Sequence, residues 1–419
     1  MAKLFTIKNL IAVLLIALIF PASGDEGKEK WRQFRGEMRN GVSPSTNLLD
    51  TYPEAGPKKL WSKEIGSGFS TILIENDILY TMYAKDSSEY LAAFDKSKGT
   101  ESWSTELGKA LYNEFGDGPR STPLITENMI YALSSNGELL AVNKKDGSKS
   151  WNRSFNKDYE SPTPRFGFSM SPILFKDMLI IEAGGKVEGE GEARKSFNNL
   201  IALNAKTGEQ LWQHTFEGRA SYSSPIQIDF PSGPQILFVT SGRIFSLNPT
   251  DGSVVWENRV PGAIAMPILL PGMQLFLSNP DQGGCTMLQL DKEGKAPADT
   301  LWQNKFMRNH FNSSIYHDGA IYGFSNATLR CIDVETGKRM WNKRGLGKGS
   351  LVAADNKLFV LSDKGKVVVV EAVSDSYKEL GTFQAIEGKS WTSPTIANGI
   401  IYLRNFSQMA AFDIRKSSL

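Results

Sequence analysis

The sequence predicts an all-β fold: an eight-bladed β-propeller, a closed ring of four-stranded sheets. Three observations carry this. One phrase recurs along the chain, as in Ile201-Ala-Leu-Asn-Ala-Lys-Thr-Gly-Glu-Gln-Leu-Trp212 and Cys331-Ile-Asp-Val-Glu-Thr-Gly-Lys-Arg-Met-Trp341. Its period is mostly in the forties, with the closing Trp at 61, 103, 151, 212, 256, 302 and 341. Such a period in short alternating strands marks one blade per repeat. The two chain ends are also complementary, because the last repeat stops after Ala411-Phe412-Asp413 and the missing outer strand stands alone at Lys58–Ser62. A strand shared by both ends would close the ring and leave no open sheet edge.

Inside the phrase, each residue type has a reason. In five copies Gly99, Gly147, Gly208, Gly252 and Gly337 stand four residues before the Trp. Asp95, Asn143, Asn204, Asn248 and Asp333 stand four before that Gly. The Asp or Asn side chain starts a turn by accepting backbone N–H groups. Gly supplies the positive φ that a three- to four-residue hairpin loop requires. Trp is broad enough to wedge between neighbouring blades once its N–H finds an acceptor.

Taken in order, residues 1–24 read as a secretory signal peptide. Lys3 and Lys8 precede an apolar run, Leu10 to Phe20, too short to span a bilayer, and Ala22-Ser23-Gly24 makes a small-residue cleavage site. No Cys follows the run to carry a lipid. The protein is therefore expected to be exported to a periplasmic or extracellular space. Residues 25–57 are expected to form an extended arm whose aromatics pin it to the main body.

The propeller is expected over 58–413, with a tail at 414–419. Eight openings mark the innermost strands: Gly68 to Thr71, Ser121-Thr-Pro123, Ser171-Pro172, Ser224-Pro225, Met266-Pro267, Ser313-Ser314, Ser350-Leu351 and Ser393-Pro394. The phrase is degraded twice: an insertion of Lys-Ala-Pro-Ala-Asp precedes Trp302, and Val370 to Phe383 has neither the Gly nor the Trp. Long loops interrupt at 104–120, 152–169 and 184–197, the last rich in Gly and Glu and expected to be mobile. Nothing else reads as helical.

Charge excludes some partners. The whole chain carries +2, and without its first 24 residues bases and acids balance. With no basic run either, the sequence makes no case for nucleic acid or an anionic membrane surface, and a monomer without an integral membrane segment is expected after cleavage. Cys285 and Cys331 are too few for a disulfide framework. Cys331 fills a slot that is Ala141 and Ala202 in other copies, which suits a small buried side chain, and a bridge to Cys285 stays open.

The phrase, repeated round an eight-bladed ring, resembles the pyrroloquinoline-quinone-type propeller repeat over roughly 58–413. The resemblance implies that Trp61, Trp103, Trp151, Trp212, Trp256, Trp302 and Trp341 form a structural girdle, each stacked on the Gly turn of the next blade. Trp31-Arg-Gln-Phe-Arg-Gly36 with Asn40-Gly-Val-Ser-Pro44 further resembles exported propeller proteins of planctomycete-like bacteria. The fold serves quinone-dependent alcohol and sugar dehydrogenases. It also serves the scaffold lipoprotein of outer-membrane β-barrel assembly, similar to this chain in size and blade number, though the lipid-bearing Cys is absent here. The dehydrogenases use an adjacent Cys pair and carboxylate ligands for Ca²⁺, and this sequence has neither pattern.

Local motifs supply no chemistry. His214, His310 and His317 lack metal-ligand spacing, and no Gly-rich stretch has the Lys and helix of a phosphate loop. The links between blades should instead crowd one mouth of the central channel, with Phe69, Arg120, Ser169, Tyr222, Ile264, Asn312, Lys348 and Trp391 in one ring. Of these, Arg120, Tyr222, Asn312, Lys348 and Trp391 are the candidate ligand-binding residues, since aromatics beside cations suit a sugar, an anion or a peptide. The alternative is that Tyr222 and Trp391 only plug the channel.

The reading that follows is an exported, non-catalytic propeller binding a protein, glycan or small-molecule partner in the cell envelope, with no cofactor. A quinone- and calcium-dependent oxidoreductase and an outer-membrane assembly scaffold are its alternatives.

Overall fold

The computed structural model describes residues 29–416 apart from 220, 241, 263, 281 and 282. The signal peptide, the first residues of the arm and the end of the tail lie outside the described residues. Eight antiparallel sheets form the ring. Blade 1 spans 73–109, blade 2 124–154, blade 3 173–217, blade 4 226–259, blade 5 268–304, blade 6 315–343 and blade 7 350–384. Blade 8 takes three strands from 395–413 and its outermost strand, Lys58–Glu64, from the other end of the chain. That strand runs antiparallel to Gln408–Asp413, from Lys58 opposite Asp413 to Glu64 opposite Gln408.

Burial explains the residue choice along each blade. A blade lies face to face with two neighbours, so its inner strands are buried on both sides and read as continuous apolar runs. Val367, Val368, Val369 and Val370 are all buried in one such strand. Outermost strands reach solvent and alternate instead. In Lys58–Glu64 only Trp61 is buried.

The recurring phrase builds the contact between blades. In all five intact copies the Gly N–H donates to the carbonyl of the Asp or Asn four residues earlier, at 2.8–2.9 Å. The Asp95 carboxylate also accepts from the Ser97 and Lys98 N–H groups, and Asp333 accepts from Thr336. The turn then receives the Trp of the preceding blade. Trp61, Trp151, Trp212, Trp302 and Trp341 donate their indole N–H to the carbonyls of Lys96, Ala205, Pro249, Val334 and Val373, at 2.9–3.0 Å. Trp103 lies over Gly147, where an added Cβ would come 2.5 Å from the ring.

Trp256 is the exception. Its indole N–H is buried without a partner among the described residues, and Gly294 of the next blade faces Phe230 instead of the indole. The insertion before Trp302 accounts for this, because Asn258 captures it by a reciprocal pair of hydrogen bonds with Ala298. Blade 7, which lacks the Trp, presents Phe383, covered by Tyr52 of the arm and Phe412 of blade 8.

Two loops carry regular structure that their composition does not announce. Phe155–Asp158 winds a single helical turn, too short to leave a periodic signal, with Phe155 buried against Tyr159 and Phe168. The Gly- and Glu-rich stretch extends a hairpin of blade 3, with Val187–Glu188 paired to Ser196 and Lys195. Cys285 and Cys331 are free, buried thiols in blades 5 and 6.

Candidate functional site

The central channel has two unlike mouths, and the N-terminal arm makes the difference. Trp31 exchanges both backbone hydrogen bonds with Ile74 of blade 1, and Ile125 of blade 2 donates to Arg32. Gly41 and Ser43 clamp Ala353 of blade 7, and Leu49 donates to Ile414 at the end of blade 8. Between these anchors two buried arginines reach across the ring. The Arg35 guanidinium donates to the carbonyls of Ser313 and Ser314 in front of blade 6, at 3.2 and 2.6 Å. Arg39 donates to Pro172 and Ser171 in front of blade 3, at 3.0 and 3.3 Å. Burial among neutral carbonyls pushes Arg35 down to about 10 and Arg39 to about 9, the latter helped by the charge of Arg35. The arm is thus a plug.

The other mouth is a cup of about 350 Å³ floored by Phe34 of the arm. All eight positions expected to share a ring line it: Phe69, Arg120, Ser169, Tyr222, Ile264, Asn312, Lys348 and Trp391. They meet because each directly precedes an innermost strand, and the eight innermost strands surround the channel. Trp391 packs on Phe311 at 4.7 Å between ring centres, with Phe69 at 6.3 Å. Phe166 bridges Phe115 and Tyr222, at 5.7 Å from each.

The polar members have distinct tasks. Arg120 donates to the carbonyls of Phe166, Gly116 and Gly118 and covers the Phe69 ring at 4.9 Å, so it holds two links together. Asn312 is likewise spent on the Gly349 carbonyl. The Ser169 hydroxyl is buried with no partner among the described residues. Lys348 has no hydrogen-bond or ion-pair partner among the described residues. Lys389 stands 3.7 Å above the Trp391 ring and donates to the Phe115 carbonyl.

Two buried carboxylates support the cup from outside. Glu89 accepts from the Ser135 N–H at 2.8 Å, and burial raises its pKa. Glu182 accepts from the Ser221 N–H and from Asn198, and burial pushes it up to about 8. A carboxyl raised in the folded state favours folding when protonated. Its contribution is full below about pH 4.5 and lost as the pH rises through about 8. Glu182→Gln should therefore flatten the fall in unfolding free energy between pH 5 and 8, by on the order of 2 kcal/mol. Urea denaturation at both pH values checks this, and an unchanged slope would mean that Glu182 stays ionised.

The family model of outer membrane protein assembly factor BamB matches residues 22–192, 196–345 and 325–418. The chain belongs to the BamB family. Outer membrane protein assembly factor BamB of Escherichia coli K12 is 23% identical over 345 residues, covering 72% of this chain and 74% of that protein. The crystal structure of BamB from Moraxella catarrhalis superposes with a TM-score of 0.59 at 14% identity, over 85% of this chain and 98% of that one. A quinohemoprotein alcohol dehydrogenase from Pseudomonas putida HK5 gives 0.64 at 12% identity, over 92% and 80%. The last two likenesses show the shared propeller.

Within this BamB-family ring, the residues at the cup do not fit a calcium–quinone pair. Calcium takes oxygen ligands, chiefly carboxylates, but no Asp or Glu lines the cup and its lining charges are Arg120 and Lys348. Among the described residues no group of three His, Cys, Asp or Glu side chains could hold a metal ion. The two thiols sit in different blades. Sequence reasoning did not identify Phe34, Phe311 or Lys389, nor the arginine plug. The plug leaves a faint trace, since Gly36 and Gly41 follow Arg35 and a Cβ at Gly41 would come 2.9 Å from its guanidinium.

Proposed function

We propose that this BamB-family propeller is exported and non-catalytic, and binds a protein partner in the cell envelope as an outer-membrane assembly scaffold does. The observation that supports it most is the family match along nearly the whole ring. The cations and aromatics of the cup suit contact with a polypeptide. The oxidoreductase alternative rests on a shared fold alone, and fold does not decide function.

Two measurements test this. Photo-crosslinkers placed on the blade-linking loops should capture an outer-membrane protein or a component of its assembly in living cells, and failure to capture any envelope protein would count against the scaffold. Titration of the purified protein with pyrroloquinoline quinone and Ca²⁺ should leave its melting temperature unchanged. A saturable one-to-one shift would overturn the non-catalytic reading and direct attention to alcohols and sugars.

A further inference from the structure

We propose that the cup is the docking pocket for an extended segment of the partner: it receives one aromatic side chain, and Lys348 and Lys389 hold an acidic residue beside it. This rests on the protein-scaffold reading and adds the chemistry of the bound segment. The pocket is blind, because the arm closes the channel behind Phe34. Its volume of about 350 Å³ admits one large side chain and a turn of backbone. Trp391 and Phe311 form an aromatic wall, on which a further ring stacks edge-on or offset.

Charge selects the neighbour. Arg120 already feels the carboxylates of Glu89 and Asp117, but among the described residues no carboxylate lines the cup or pairs with Lys348 or Lys389, so a carboxylate from outside would complete the site. Lys348 is available and Lys389 gives one of its three N–H donors to the Phe115 carbonyl, whereas Arg120 is spent on three carbonyls. The buried Ser169 hydroxyl offers a hydrogen bond to an incoming backbone or ring N–H.

The surroundings favour a polypeptide over a free small molecule. The link that carries Arg120 also exposes Tyr112 at 65% and Phe115 at 44%, and the link that carries Phe311 exposes Phe306 at 39%. Phe115 belongs to the lining of the cup, but a molecule confined there would leave Tyr112 and Phe306 in water. A chain leaving the cup across this face would cover them. A glycan fits less well, because Asn312 and Arg120, which would recognise hydroxyls, are engaged with the backbone.

The test uses three capped pentapeptides, Gly-Glu-Trp-Glu-Gly, Gly-Lys-Trp-Lys-Gly and Gly-Glu-Ala-Glu-Gly, titrated into the purified protein by calorimetry. The acidic tryptophan peptide should bind roughly tenfold more tightly than either other one, and weaken as salt rises. Trp391→Ala should reduce its affinity by about tenfold, and Lys348→Glu, at a partly exposed site where folding is not at stake, by about fivefold. Equal binding of the three peptides, or indifference to Lys348→Glu, would overturn the proposal. So would indole-3-acetate binding as tightly as the peptide, which would make the cup a small-molecule site. Cellular crosslinks that persist unchanged in Trp391→Ala would leave the scaffold standing and remove the cup from its interface.

Discussion

Replacing Gly252 by Ala should destabilise the protein by about 3 kcal/mol. Two effects add. Gly252 has φ near +73°, where an L side chain costs about 1 kcal/mol. Its new Cβ would also stand 2.5 Å from the Trp212 ring, so the indole must retreat and stretch its bond to the Pro249 carbonyl. Gly272 separates the two effects. It has φ near +76° with nothing within 4 Å of a built Cβ, so Gly272→Ala should cost only the backbone part, about 1 kcal/mol. Denaturant unfolding of both variants measures the difference. Equal losses would show that the Trp–Gly contact contributes nothing and that the girdle is only a by-product of the turn.

Removing the arginine plug should free the arm while the ring stays folded. In Arg35→Ala/Arg39→Ala, the carbonyls of Ser171, Pro172, Ser313 and Ser314 lose charged donors. Unpaired inside the channel, these groups would cost about 3 kcal/mol or more. Local undocking relieves that cost by hydrating them, so the loss appears as opening of residues 31–43 and not as global unfolding. Amide exchange at Trp31 and Ser43 should accelerate by roughly a hundredfold, with blade amides little changed. Arg35→Lys should fail to restore protection, because a single ammonium cannot serve the Asn40, Ser313 and Ser314 carbonyls that the planar guanidinium serves together. Unchanged exchange in the double variant would mean that the backbone clamps at Ile74 and Ala353 hold the arm by themselves.

The sequence by itself determined the ring, its number of blades and the strand that closes it. These are properties of a local unit repeated at a fixed period. The Asp or Asn, the Gly and the Trp lie within nine residues of each other, and the turn they encode forms from neighbours in the chain. The same regularity placed Phe69, Arg120, Ser169, Tyr222, Ile264, Asn312, Lys348 and Trp391 around one mouth, because equal offsets from equal strands map to equal positions in a ring.

The tertiary structure alone decided what each of those residues does. Arg120 looks like a ligand cation in the sequence, yet it is bound to three carbonyls, the nearest of them in its own link. Phe311 and Lys389, one and two residues away from the predicted positions Asn312 and Trp391, complete the wall through contacts with other links, Phe311 with Trp391 and Lys389 with the Phe115 carbonyl. Trp256 carries the girdle motif but lost its acceptor to an insertion in another blade. The arm, which has no repeat to read, became the plug through bonds to residues more than a hundred positions away. Local turn chemistry is written in adjacent residues, whereas the pairing of a buried donor with its acceptor depends on which distant carbonyls the closed ring brings within 3 Å.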